Sequence, residues 1–191
     1  MKIEVLEEAG HEWALLGMAF SYKDRKYPWR EWWTPEQKAK AERRAKLLAH
    51  KDGGHNKFLE SIQVWFIVEG SRDFWSEMDT YRVGTTKQSE STMHTLSKRP
   101  PEMGDFEEGT DEWTFEAFLK SWEKHRGDVT RLKKNLPEGF LQARVICTNY
   151  KVLRNVLWQR EGHRLEQWGT FRESLLAQLQ HPEYLVQTSD V

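Results

Sequence analysis

Apolar positions along this chain alternate between a two-residue rhythm and a rhythm of three to four residues, and the changes of rhythm mark strands and helices. The clearest strand is SIQVWFIVEG, with Ile62, Val64, Phe66 and Val68 on one face. Gln63, Trp65, Ile67 and Glu69 form the other, so both faces read as largely covered. KIEVL predicts a short first strand and HEWALLGMAFSY an apolar-rich helix after it. An aromatic, turn-like connector follows around residues 27 to 33. Thr34 can then cap a helix, Pro35 suits its first position and Gln37 completes a capping box. That helix runs through KAKAERRAKLLAHK and is expected to stop at Gly53 and Gly54.

Ser71 opens a second clear helix, RDFWSEMDTYR. From Gly84 to Met103 no period is sustained, Ser and Thr are frequent, and Pro100 and Pro101 close the stretch. A loop of that length in a compact domain is usually functional or mobile. Phe115, Phe118, Leu119 and Trp122 then recur at helical spacing, and a short basic helix reaches Lys134 before a turn at Pro137 and Gly139. LQARVICT reads as a strand. Two helices finish the chain, the last with Leu165, Trp168, Phe171, Leu175 and Leu179 as its core face. Few strands among many helices predict a mixed α/β (α+β) domain.

The penultimate helix carries one discordant residue. In NYKVLRNVLWQREGH, Leu153, Val156 and Leu157 form an apolar stripe with Val152 at its edge, yet Asn149 and Arg160 fall on the same stripe. An arginine cannot shed its charge and is costly to bury unpaired, so Arg160 needs an anion, a carbonyl or water opposite it. Either it snorkels or pairs with a core carboxylate at a helix end, or it points into a ligand cavity.

Composition narrows the function. The 191 residues suit one domain, 1–191, with room for an insertion. A hydrophobic fraction of 38% beside 31% charged residues predicts a folded chain. The net charge of -1 argues against a duplex-DNA binder, and no nucleic-acid partner is expected. No apolar run approaches the roughly 20 residues of a membrane helix, and MKIEVLEEAGHEW turns acidic too early for a signal peptide, so no membrane partner and a cytoplasmic location are expected. The lone Cys147 reads as strand packing rather than a nucleophile. Ten tryptophans must divide between core, subunit interface and the surroundings of a flat ligand.

The sequence has neither a Gly-rich dinucleotide loop nor a Walker loop, and no GxSxG elbow. His50 and His55 lack metal-ligand spacing, and no metal site is expected. Three polar groupings remain: GHNKFLES, with His55 and Glu60; YRVGTTKQSESTMH, rich in hydroxyls, with Arg82, Lys87 and His94; and Asn149, Lys151, Asn155 and Arg160 near the C-terminus. The middle one suits a phosphate or sugar.

In order and spacing these groupings resemble the flavin-dependent thymidylate synthases. That family's pattern has a Gly-His with a Glu five residues after the His, an RHRxxSxNExSxRY-like signature, an N-x-[RK]-x3-N-x4-R helix, and Gln-Trp shortly after. Here the matching pieces are GHNKFLE, TYRVGTTKQSESTMH, NYKVLRNVLWQR, and Gln167 with Trp168. Leu136 and Pro137 fall where the family has a Leu-Pro turn, and residues 98 to 127 lie outside the similarity as an insertion-like segment. With Arg82 on the third signature residue, Thr80 and Tyr81 replace an Arg and a His. An ungapped continuation puts Gln88 and Glu90 on the Glu and Ser positions. A two-residue insertion, which keeps acid, hydroxyl and cation in order, puts Glu90, Thr92 and His94 on Glu, Ser and Arg.

The resemblance implies that His55, Arg82, Asn149, Lys151, Asn155 and His163 contact FAD. It implies that Gln88 or Glu90, Thr92, His94, Lys133 and Arg160 hold dUMP or a related pyrimidine deoxynucleotide. Arg160 would then be catalytic, stabilising negative charge on the ring as its C5 becomes nucleophilic. Methylenetetrahydrofolate and NADPH as co-substrates and a homotetramer with shared sites are further implications. Two alternatives stay open. One is hydroxymethylation or a cytosine nucleotide on the same fold; the other is a non-catalytic nucleotide-binding relative.

Overall fold

The computed structural model describes residues 1–186. Four strands form one antiparallel sheet in the order β1-β2-β4-β3: β1 Lys2–Ala9, β2 Gln63–Gly70, β3 Thr86–Ser89 and β4 Gln142–Asn149. β1 is the predicted first strand extended by three residues, and a register shift between Val5 and Glu7 bulges it against β2. β3 falls inside the stretch read as a loop. Its sequence, TKQS, has no apolar alternation because it is a short edge strand with little to bury.

Among the described residues the helices are α1 His11–Ala19, α2 Trp29–Trp32, α3 Pro35–Leu48, α4 Arg72–Met78, α5 Thr92–Thr95, α6 Glu112–His125, α7 Val129–Lys134, α8 Tyr150–Gln159 and α9 Gln167–Gln178. The prediction of a mixed helix and sheet domain holds. Thr34 caps α3 as expected, its hydroxyl accepting from Gln37 N at 3.3 Å. α3 nevertheless ends at Leu48, where Lys51 N turns back to Leu48 O at 3.0 Å. The two glycines occupy later turns, with φ of 70° and 86°. Another glycine is demanded at the β1–α1 junction. Gly10 has φ 91°, and a Cβ there would lie 2.4 Å from Ser61 O.

The main core lies on one side of the sheet. Ile62, Val64, Phe66 and Val68 are fully buried with Ile146 under Phe74, Trp75, Leu153, Trp168, Phe171 and Leu175. Each such side chain contributes about 1.5–3 kcal/mol of burial, which fixes the register because a one-residue slip would expose the whole row. The reverse face departs from expectation: Trp65, Ile67 and Cys147 are half-buried and Val145 is exposed. A smaller second core joins Leu96, Phe106, Phe118, Trp122, Leu132, Leu136 and Phe140. Trp122 Nε1 donates to Leu96 O at 2.6 Å across it. Five of the ten tryptophans, Trp32, Trp33, Trp75, Trp122 and Trp168, are buried in these cores, while Trp13, Trp113 and Trp158 are exposed.

Candidate functional site

Helix α8 begins where β4 ends, and Asn149 makes the junction. Its Oδ1 accepts from Val152 N at 3.0 Å, capping the helix and leaving the side-chain amide group to donate elsewhere. The segment after α4 folds against that helix start. Lys87 Nζ donates to Met78 O at 2.8 Å and Tyr81 O at 2.7 Å, and its ion pair with Asp79 spans 3.5 Å. Burial pulls the Lys87 ammonium below its ordinary pKa, a cost that Asp79 partly offsets. Thr148 Oγ1 donates to Gly84 O at 2.9 Å and meets Thr85 Oγ1 at 3.1 Å. Gly84 is required there: its φ is 68°, and a Cβ would lie 2.9 Å from Val152 Cγ2.

Between the braced segment and the first turns of α8 lies an open cleft of about 850 Å³. Arg82, Asn149, Lys151 and Asn155 line it with Glu60, and Tyr81, Val83 and Val152 give it an apolar wall. Lys151 Nζ is 2.7 Å from Glu60 Oε1, and Asn155 Oδ1 accepts from Gln159 Nε2 at 3.3 Å. The structure thus brings together four of the six residues assigned to a flavin. His55 is next door, in a cavity of about 540 Å³ with Trp13, Met18 and Tyr22, and Glu60 borders both spaces.

Arg160 lines neither space. It ends α8 and is held on three sides: Nη1 to Glu77 Oε2 at 2.9 Å, Nε to the Tyr81 hydroxyl at 2.9 Å, and its plane over the Trp168 ring at 4.8 Å. Glu77 Oε2 also accepts from Trp168 Nε1 at 2.7 Å. His163 belongs to this group rather than to the cleft. Leu165 N donates to its Nδ1 at 3.2 Å, and its Nε2 faces Glu77 Oε2 at 3.5 Å. Arg160 Nη1 lies 3.1 Å from that same nitrogen. Of the two sequence readings of Arg160, pairing with a carboxylate is the one observed; its partner Glu77 is a helical Glu that carries no local mark of the pairing.

The nucleotide set divides. Thr92 and Lys133 line one small cavity of about 280 Å³. Glu90 N donates to Ala143 O at 3.0 Å, and its side chain borders a separate cavity of about 520 Å³ beside Arg99 and Trp122. Gln88 alternates to the sheet face opposite Lys87, opposing Val145, and His94 is exposed on α5. Gln167 and Trp168, matched as a motif, are both buried. Gln167 Nε2 donates to Ser71 Oγ and to Glu107, tying α9 to the start of α4, and burial raises the Glu107 carboxyl pKa.

No protein-family model and no curated protein matches the sequence. Solved structures do. A flavin-dependent thymidylate synthase ThyX from Helicobacter pylori, complexed with FAD and dUMP, superposes with a TM-score of 0.76 at 15% identity over 97% of this chain and 98% of that one. A second structure of ThyX from that organism, with FAD and dUMP, gives 0.76 at 16% identity over 98% of each chain. A UMP/dUMP methylase PolB from Streptomyces cacaoi, bound with 5-Br dUMP, gives 0.60 at 10% identity over 82% of this chain and 76% of that one. The chain has the fold of the flavin-dependent thymidylate synthases. Among the described residues no helix is long and apolar enough to cross a membrane.

Proposed function

We propose that this chain is a flavin-dependent, thymidylate-synthase-like enzyme that transfers a one-carbon unit from methylenetetrahydrofolate to C5 of a pyrimidine deoxynucleotide, dUMP to dTMP. The observation that carries the reading is the convergence of Arg82 with Asn149, Lys151 and Asn155 on one cleft, although the two segments are remote in sequence. The donor set fits a flavin dinucleotide. Arg82 and Lys151 supply charge-assisted donors for a diphosphate, Asn149 and Asn155 supply amide groups, and Tyr81, Val83 and Val152 offer a wall for a flat ring. Its volume is in the ordinary range for ligand sites, about 300–1,000 Å³. The bound flavin supplies the hydride, with NADPH as the reductant.

In this reading the protein's own residues bind, orient and stabilise. Lys151 turns from Glu60 toward the diphosphate, and His55 reaches the same ligand past Glu60. Thr92 and Lys133, with Glu90, Gln88 and His94 nearby in sequence, hold the nucleotide. Arg160 meets the pyrimidine by exchanging Glu77 for a ring carbonyl, and His163 supports that exchange from Trp168. The half-covered sheet face and the exposed tryptophans serve a homotetramer of single-domain subunits, in which residues 98–127 are an insertion.

A second reading, nucleotide binding without catalysis, is favoured by one observation: the Arg160 guanidinium is already engaged by Glu77 and Tyr81. Titrating the protein with FAD, with and without dUMP or dCMP, while following tryptophan quenching and flavin absorbance separates the two. FAD binding strengthened by dUMP, with labelled one-carbon transfer to the base, supports the enzyme. Nucleotide binding without FAD supports the second reading.

A further inference from the structure

A cavity of about 600 Å³ plays no part in the function proposed above. It is bordered by Arg154 on α8, Arg172 on α9, His50 and Asp52 in the turns after α3, and Leu185 and Val186. Lys151 and Asn155 line both this space and the cleft, and Lys151 keeps its ion pair with Glu60. The two arginines are poorly satisfied for their burial. The side chains of Arg154 and Arg172 are 26% and 22% exposed, close to the 17% of Arg160 and the 16% of Arg144. Arg160 and Arg144 each donate at least two hydrogen bonds of 2.9 to 3.2 Å.

Among the described residues, neither Arg154 nor Arg172 donates a side-chain hydrogen bond, and Arg172 Nε is buried without a partner. The carboxylates facing them stand off toward solvent. Asp52 Oδ1 is 3.5 Å from Arg154 Nη1 and 91% exposed; Glu161 Oε1 is 3.9 Å from Arg172 Nη2 and 57% exposed. Ion pairs with partners so exposed contribute little. Each guanidinium carries five donors, and donors left unmade in a half-buried setting are costly, so an arriving oxyanion recovers a cost that the fold already carries.

The size of the space narrows the class of anion. It is larger than a single phosphate fills, and its two guanidinium forks stand on separate helices. Two carboxylates on one short carbon framework answer both forks, since a carboxylate matches a planar guanidinium bidentately. Buried Leu157, Leu185 and Val186 give that framework an apolar surface. We propose that this cavity is a binding site for a small dicarboxylate, with Arg154 and Arg172 each holding one carboxylate. The site does not rest on the flavin reading.

Calorimetric titration of the full chain with glutarate tests it, with glutaramide and inorganic phosphate for comparison. Glutarate should bind, and glutaramide, its uncharged counterpart, should bind at least tenfold more weakly. Arg154→Gln and Arg172→Gln should each weaken glutarate by about 10-fold to 100-fold, the scale of one charge-assisted hydrogen bond. Arg164→Gln, outside the cavity, should leave it within twofold. FAD titration of wild type and Arg154→Gln keeps the outcomes apart. Glutarate binding without FAD binding sinks the flavin reading and spares this site, whereas loss of both ligands in Arg154→Gln would make the cavity an arm of the cleft and overturn a separate site. A wild-type chain that ignores glutarate, or binds phosphate more tightly, overturns the dicarboxylate assignment. So do Arg154→Gln and Arg172→Gln proteins that melt as wild type and bind glutarate unchanged. If Arg172→Gln melts early, Arg154→Gln decides by the same titration.

Discussion

The two ends of helix α8 carry the same kind of chemistry in opposite states. At its start Arg82, Asn149 and Lys151 face an open cleft, and the one carboxylate there, Glu60, lies at its edge and is exposed. At its end Arg160 is 17% exposed and closed off by Glu77, Tyr81 and Trp168. Both ends match the same sequence motif. What separates them is the partner supplied by a remote helix: α4 sends Glu77 to Arg160 and nothing acidic to Arg82. A cation on an apolar helix face is thus a question about its counter-ion, which sequence spacing does not answer.

The largest effect should follow from breaking the closed end. Glu77→Ala leaves Arg160 without its ion partner and Trp168 Nε1 without its acceptor. The expected loss is about 2 to 3 kcal/mol in urea unfolding, less than for a fully buried pair because Glu77 is 32% exposed. Arg160→Ala should cost less, since Glu77 keeps Trp168 and has solvent access. A Glu77→Ala protein as stable as wild type would show that Arg160 has no need of its counter-ion and would erase the contrast.

Next in size is the glycine packed against the open end. Gly84→Ala forces a left-handed residue, about 1 to 2 kcal/mol, and pushes a methyl group toward Val152 at the cleft wall. Thermal melting should register the strain, and FAD titration should show weaker binding. Wild-type FAD affinity in a Gly84→Ala protein would remove this part of the wall from the site.

At the open end the prediction inverts. Arg82→Ala and Lys151→Ala should change stability by less than about 0.5 kcal/mol, since Arg82 is exposed and the ion pair of half-buried Lys151 with exposed Glu60 is a surface one. Each should nevertheless weaken FAD binding about tenfold or more, the scale of a lost charge-assisted hydrogen bond. Equal loss of stability at the two ends of α8 would mean that the cleft cations are structural as well.

Much of this contrast was legible in the sequence. Thr34 and Pro35 mark α3, the Ile62–Val68 alternation marks the buried strand, and the C-terminal motif brings the cleft residues together. Three features were not. β3 is too polar and short to show a period. The Glu77–Arg160 pair joins residues whose proximity depends on how α4 packs beside α8. Arg154 and Arg172 border a common cavity although they stand on different helices. Local patterns carry periods and caps; they do not carry the distance between elements.

The smallest effect concerns a pair of stacked histidines whose nearest carboxylate, Glu183, lies only 3.9 Å from His181 Nδ1. The His11 and His181 rings stack with centroids 3.7 Å apart, Tyr184 stacks on both, and His11 Nε2 is 3.2 Å from the Tyr184 hydroxyl. Burial, and then repulsion from His181, lowers the His11 pKa from 6.5, while Glu42, Glu183 and Glu12 pull it partly back. The folded state therefore binds protons less readily than the unfolded chain, whose His11 titrates near its ordinary value. Stability from this stack is present above about pH 6.5 and is lost as pH falls through the lowered folded value, because the proton must then be taken up by a half-buried His11 ring stacked on His181. Melting temperature should accordingly decline on acidification below that point. In His11→Gln the decline should be shallower, since one titrating ring is gone. An identical slope in wild type and His11→Gln would place the acid sensitivity elsewhere and leave the stack a neutral packing contact.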